Sequence, residues 1–222
     1  MSHHITLEDI RNSKIIRTYV EQADASMKAM GYTEHGQVHV SIVSKVAGDL
    51  LRDLGFDEHT VELTRIAGYM HDIGNVVNRI DHAQSGAIMA FRILDEMGMP
   101  AEDIAPIITA IGNHDESTAF PVNAISAALI LADKTDVRRN RVRNIRPEQF
   151  DIHDRVNFAV IENHNTLDRA SMTFTQEIQI NTEIGSIMDY FEIYMNRMLL
   201  CRRAAEFLKL QFRVTVNGAN LC

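Results

Sequence analysis

Cysteine is scarce in this 222-residue chain: there are 2, Cys201 and Cys222. That is too few for a disulfide framework, and neither has C-x-x-C spacing, so a reducing, cytoplasmic setting is expected. Long apolar runs are also missing. No stretch approaches the roughly 20 residues that cross a bilayer, and Met1-Ser2-His3-His4-Ile5 lacks a signal-peptide layout, with His3 and His4 read as a flexible terminus. Positive charge is in deficit. A formal net charge of -8 excludes broad non-specific nucleic-acid binding. It leaves room for a small phosphorylated substrate held by a local basic patch. Repeats, low-complexity tracts and long linkers are absent as well.

What is present is a chain long enough to bury a full core, with 45% hydrophobic residues. Apolar residues recur at helical spacing over residues 7–30, 37–54, 57–72, 82–97, 104–111 and 123–133, with Gly31, Gly55 and Gly98 as stops. Residues 1–146 therefore read as an all-α domain. Past Pro147 the pattern changes. Residues 155–161 and 172–180 alternate with period two, 184–210 returns to helical spacing, and 212–216 alternates again. Residues 147–222 are expected to form a small α+β unit of order β-β-α-β, a cap or a homo-oligomer contact, and His153-Asp154 at its start reads as structural. The fold class is mainly α.

The chemistry gathers around Tyr69-Met70-His71-Asp72-Ile73-Gly74-Asn75. Imidazole and carboxylate stand side by side at the end of an apolar helix, and Gly74 would let the backbone turn away behind them. A carboxylate near a helix C-terminus opposes the macrodipole unless a cation is close. His35 and His39 lie one helical turn apart. His82 starts a later helix, His114 follows another, and Asp133 ends the run Ala127-Ala128-Leu129-Ile130-Leu131-Ala132. Each has a bland reading, such as a capped surface histidine or a solvated aspartate. Together they look like a dinuclear site for Fe, Mn, Zn, Ni or Co, because magnesium and calcium prefer all-oxygen shells.

The order His39, His71-Asp72, then Asp133 in Leu131-Ala132-Asp133-Lys134 resembles the HD-domain metal-dependent phosphohydrolase superfamily. The helical reading of residues 7–146 agrees with that family's all-α core. His82 followed by Gly86, and His114 in Asn113-His114-Asp115-Glu116, are similar to the two extra histidines of its dinuclear members, which include the HD-GYP cyclic-dinucleotide phosphodiesterases. The resemblance implies that His39, His71, Asp72 and Asp133 bind one divalent metal and that His82 and His114 bind a second, with Asp72 bridging. It makes His35 an additional ligand. Two departures stand out. Asn113-His114 replaces paired histidines with no Gly-Tyr-Pro after them, and Asn75 stands where a lysine often follows. The metal site is carried over; the cyclic-dinucleotide substrate is not. The resemblance does not extend to the β-containing unit.

The implied reaction is hydrolysis of a phosphomonoester or phosphodiester, of a nucleotide or another small phosphorylated compound, by metal-activated water. Asp136 or Asp115 would orient that water. Five arginines fall within residues 138–146 of an otherwise acidic chain. Guanidinium forks suit phosphate, so Arg138, Arg139, Arg141 and Arg143 are candidate substrate contacts, with Lys134, Arg79 and Asn113. The same run would also complement a helix C-terminus or pair with an acidic face of another subunit. A di-iron oxygenase and a non-catalytic nucleotide sensor are the competing functions.

Overall fold

Ser13 divides the first expected helix in two. It has extended backbone, takes the last turn of α1 (Leu7–Asn12) on its N–H, and caps α2 (Lys14–Ala29) with its hydroxyl. This computed structural model describes residues 5–144, 146, 150 and 152–221. His3, His4, Pro147 and Cys222 lie outside the described residues, as does the point of the expected domain boundary after Arg146.

The remaining helices of the first part follow the apolar stripes: α3 (Gln37–Asp53), α4 (Glu58–Met70), α5 (His82–Glu96), α6 (Ala101–Gly112) and α7 (Ala124–Lys134). A 3-10 turn, Ile73–Val76, joins α4 to the loop before α5. Gly31, Gly55 and Gly98 have φ of 85°, 86° and 84° just past α2, α3 and α5, where a Cβ would be strained. Helix α7 is apolar all round and buried at every position from Ile125 to Ala132. It is the axis of the core, packed by α3, α4, α6 and a later helix, α9 (Ile187–Phe207). Its C-terminus delivers Asp133 and Lys134.

The second part departs from expectation at its start. Residues 152–159 form helix α8 (Ile152–Ala159), and strand β1 (Val160–Asp168) comes after it. Val156, Asn157 and Ala159 are the buried positions of α8, a spacing that fits a helix turn as well as it fits alternation in so short a run. The first strand, expected over residues 155–161, thus starts later and runs on to Asp168; alternation does not mark its full length because none of its residues after Val160 is fully buried. Strands β2 (Thr173–Ile180) and β3 (Gln211–Val216) and helix α9 (Ile187–Phe207) lie close to their expected places, and a two-residue β4 (Ala219–Asn220) is added. The sheet order is β1-β2-β3-β4, antiparallel, parallel, antiparallel, with α9 as the crossover between the parallel pair. Phe174, Ile178, Val214 and Val216 join Leu129, Leu131 and Tyr194 in one continuous apolar cluster. The sheet and the helical part thus share a core, which brings α8 and α9 up to the site.

Candidate metal centre

Five elements each present one end to the same point. His39 comes from the first turn of α3, His71 and Asp72 from the end of α4, His82 from the first turn of α5, His114 from just past α6, and Asp133 from the end of α7. Gly74 makes this convergence possible, by a different route from the expected turn. Its φ is not positive; a Cβ there would lie 2.0 Å from the carbonyl of His82 and 2.4 Å from the N–H of Gly86. Glycine lets α5 press against the 3-10 turn. Gly68 does the same for α4 on α3, where a Cβ would stand 2.7 Å from Cα of Ser44.

The donor atoms fall into two nests. In the first, His39 Nε2 lies 3.3 Å from His71 Nε2, 3.3 Å from Asp133 Oδ1 and 3.6 Å from Asp72 Oδ2, and His71 Nε2 is 3.3 Å from the same Asp72 oxygen. In the second, His82 Nε2 and His114 Nε2 are 3.2 Å apart and 3.5 and 3.7 Å from Asp72 Oδ1. The two oxygens of Asp72 face different nests. His39, His71, Asp72, His82 and His114 are all buried.

Ring orientation is set from behind. His71 Nδ1 donates to the carbonyl of Gly68 at 2.9 Å, His82 Nδ1 to Arg79 at 3.0 Å and His114 Nδ1 to Ile111 at 2.6 Å. His39 Nδ1 donates to Asp136 Oδ2 at 2.7 Å. With the proton on Nδ1, every Nε2 offers a lone pair inward. Nitrogens 3.2–3.3 Å apart, with lone pairs facing carboxylate oxygens, call for positive charge among them; Arg79 Nη1, 3.2 Å from His82 Nε2, and Lys134 Nζ, 2.6 Å from Asp133 Oδ2, supply part of it from the side. Nitrogen and carboxylate donors in this mixture fit transition-series divalent cations.

The charges bear this out. Burial alone would raise Asp72, but His71 and His114 hold it well below the usual carboxylate range. Burial would also raise Asp133, which Lys134, then His39 and His71, hold low. Burial lowers His82 to about 4, helped by His114 and Arg79 and opposed by Asp72. His114 is lowered too, first by burial. His71 goes the other way: burial would lower it, but Asp72 and Asp133 raise it. Without a cation, the carboxylates draw a proton onto His71.

His35 stands at the rim. Its ring centroid is 5.5 Å from that of His39 and its Nδ1 donates to the Thr33 carbonyl at 2.7 Å. It lines the cavity over Asp72 without joining either nest. Asp115 is also at the rim, with Oδ1 4.0 Å from His82 Nε2. Asp136 is not: it lies behind His39, held by Arg138 and Arg141, so it fixes the ring where it was expected to orient water.

The proposed substrate contacts separate sharply. Arg79, Lys134 and Arg141 line the cavity over the nests. Arg138 is turned to Asp136 and Glu34, Arg139 stacks 4.8 Å over Phe158 and donates to the carbonyl of Val160, and Arg143 pairs with Asp24. Asn113 donates to the carbonyl of Thr109 at the end of its own helix. These four residues support the fold where substrate contact was expected, because acidic and carbonyl partners, local for Arg138 and Asn113 and distant for Arg139 and Arg143, engage them.

Two contributors were not foreseen. Asn75 donates to Asp72 Oδ1 at 2.8 Å and to its carbonyl at 3.0 Å, fixing the carboxylate between the nests. Arg197 of α9 reaches the same cavity, paired with Glu116 and 4.8 Å over Tyr194. A signal for it existed, since Arg197 falls on the buried stripe Tyr190, Tyr194, Met198, Cys201.

Comparison with known proteins agrees with this geometry. The family model described as HD domain matches residues 37–193. That range holds all six residues of the nests and runs on through α8, β1, β2 and the start of α9, beyond the segment that carried the resemblance. The uncharacterized protein MJ1020 of Methanocaldococcus jannaschii is 25% identical over 201 residues, covering 80% of this chain and 76% of its own length. The chain belongs to the HD domain family, whose superfamily consists mostly of metal-dependent phosphohydrolases.

Proposed function

We propose that this protein is a metal-dependent phosphohydrolase that cleaves a phosphoester of a nucleotide or another small phosphorylated compound with water. The observation that carries the reading is Asp72, whose two oxygens each complete a different nest of imidazole nitrogens. His39, His71, Asp72 and Asp133 would hold one cation, and Asp72, His82 and His114 the other. When bound, such ions supply hydroxide at neutral pH and a Lewis acid for a phosphoryl oxygen.

The chain's own residues do the rest. Asn75 and the backbone carbonyls behind the histidines keep the donors aimed before substrate arrives. Asp115 is a carboxylate at neutral pH: burial would raise it, but the Ser117 hydroxyl and the charge of Lys134 hold it low. Its Oδ1 at the rim of the second nest is placed to accept a hydrogen from the attacking water. Arg79, Lys134 and Arg141 give the cavity the positive charge that phosphate needs. A non-catalytic sensor is less well supported, since both nests are complete.

The test is elemental analysis of protein purified without a chelating column, followed by a phosphoesterase screen. Close to two transition metals per chain and turnover of a phosphoester are expected. No bound metal after adding metals back, or no hydrolysis by the loaded protein, would overturn the reading.

A further inference from the structure

A separate cavity of about 310 Å³ between the helical core and α8 and α9 adjoins the nests. His35, Arg79, Arg141 and Arg197 line both spaces. Three guanidinium groups therefore stand at the throat, two from the core and one from α9.

Their planes are preset. Arg197 lies 4.8 Å over the ring of Tyr194, and Arg79 lies 5.6 Å over that of Tyr32. Arg141 donates from Nε to the carbonyl of Glu34 at 2.9 Å and from Nη1 to that of Asp136 at 2.7 Å, and among the described residues Nη2 makes no hydrogen bond. Stacked and tethered forks lose little freedom when an oxyanion binds. Glu116 offsets the charge of Arg197, and Asp136, shared with Arg138, offsets part of that of Arg141; Arg79 adds positive charge to the throat, and Asp154 stands farther in, on the cavity wall. Beyond it, Asn157 donates to the Tyr194 hydroxyl at 2.8 Å, and with His153 these groups form a polar wall.

Building on the phosphohydrolase reading, we infer that the throat and cavity select a phosphomonoester bearing one compact, polar organic group. The phosphate dianion is held by Arg79, Arg141 and Arg197 against the nests, and a group the size of a single nucleoside or sugar fills the cavity. A monoester presents three unsubstituted oxygens and two negative charges to three cations. A diester presents two oxygens and one charge, and its second organic group would fall among the guanidinium groups. The cavity is at the small end of the roughly 300–1,000 Å³ usual for ligand sites, room for one such group. Arg197 is then a specificity-determining residue that α9 supplies to a site built by the core.

Titration calorimetry on the metal-loaded protein tests this with adenosine 5′-monophosphate, ribose 5-phosphate, dimethyl phosphate and a 3′,5′-cyclic monophosphate. Both monoesters should bind more tightly than both diesters. Arg197→Gln should weaken monoester binding at least about tenfold, with part of the loss restored by Arg197→Lys. Arg79→Gln, at a half-exposed position, gives a second reading should Arg197→Gln fold poorly. Diesters that bind as tightly as monoesters, or monoester binding indifferent to Arg197→Gln and Arg79→Gln, would overturn the inference. Arginine-dependent binding without turnover would sink the hydrolase reading and uphold the cavity's ligand class. Turnover with a KM untouched by either variant would do the reverse.

Discussion

Asp136 Oδ2 accepts the Nδ1 proton of His39 at 2.7 Å, on the side of the ring away from the metal nests. Burial would raise this carboxyl, but His39, Arg141 and Arg138 hold it well below the usual range. It is a fixed anion behind a ligand. Asp136→Asn would keep the shape but could present either an oxygen or an NH₂ group to His39, so the ring would no longer be fixed with its lone pair inward. Loss of such a partner behind a ligand costs about 10–100-fold in metal affinity. Competition titration against a chromogenic chelator should show that loss confined to the first nest.

Gly74 makes an independent prediction about the second nest. Since a Cβ there would lie 2.0 Å from the His82 carbonyl, Gly74→Ala must push α5 away from the 3-10 turn. His82 would leave Asp72 while His39, His71 and Asp133, on other elements, stay in place. A clash against backbone costs about 1–3 kcal/mol. Metal content should fall from near two per chain toward one. Two ions retained at full occupancy would mean that the 3-10 turn yields instead and α5 keeps His82 beside Asp72.

The ligands were legible in the sequence because each ends or begins an apolar helix, where a buried imidazole or carboxylate has no ordinary reason to be. The helical core was legible through its stripes and glycine stops. The substrate side was not. Arg138, Arg139, Arg141 and Arg143 form one run in sequence, yet only Arg141 lines the cavity, since the others are claimed by Glu34, Asp136, Val160 and Asp24. The pairings with Glu34 and Asp24 span 104 and 119 residues and leave no local trace. Most of strand β1 was hidden for a related reason: its Asn163 and Asn165 donate to the carbonyl and hydroxyl of Thr135, so it packs through polar groups that alternation of apolar residues does not reveal.

Arg139→Ala follows from that sorting. Arg139 is exposed, stacked on Phe158 and bonded to the Val160 carbonyl, so the substitution should leave KM for a phosphoester unchanged. A small stability loss, about 0.5–1 kcal/mol for an exposed cation–π contact, should appear in urea unfolding. A raised KM would return this arginine to the substrate site.

The metal-free protein should weaken in mild acid. His82 is lowered to about 4 and His35 and His114 are lowered too, each first by burial. Such groups stay neutral in the folded chain while the unfolded chain takes up protons near pH 6.5. Folded stability from these three is therefore full above about pH 6.5 and falls as pH drops toward 4, by about 3 kcal/mol for His82 alone. His71, raised by Asp72 and Asp133, opposes this: its contribution is full below about pH 6.5 and is lost as pH rises through its folded value. The large shift of His82 sets the expected direction. Urea midpoints measured between pH 7 and pH 4.5 in chelator should decline, and a flat profile would contradict the burial of these rings.

The same raised His71 makes metal binding a proton-releasing event. In the metal-free site, Asp72 and Asp133 favour the imidazolium of His71, whose Nδ1–H stays donated to the Gly68 carbonyl, so the extra proton is on Nε2. A cation in the first nest needs that lone pair, and the proton must leave. Calorimetric titration of metal into the metal-free protein, repeated in buffers of different ionisation enthalpy, counts the protons directly. Near neutral pH a positive fraction of a proton should be released per first-nest ion, declining as pH rises above the folded value of His71. Asp133→Asn, which removes one of the two carboxylates that favour the imidazolium, should reduce the release at pH 7. Zero release at every pH would place the neutral imidazole in the metal-free state and remove the electrostatic account of the first nest.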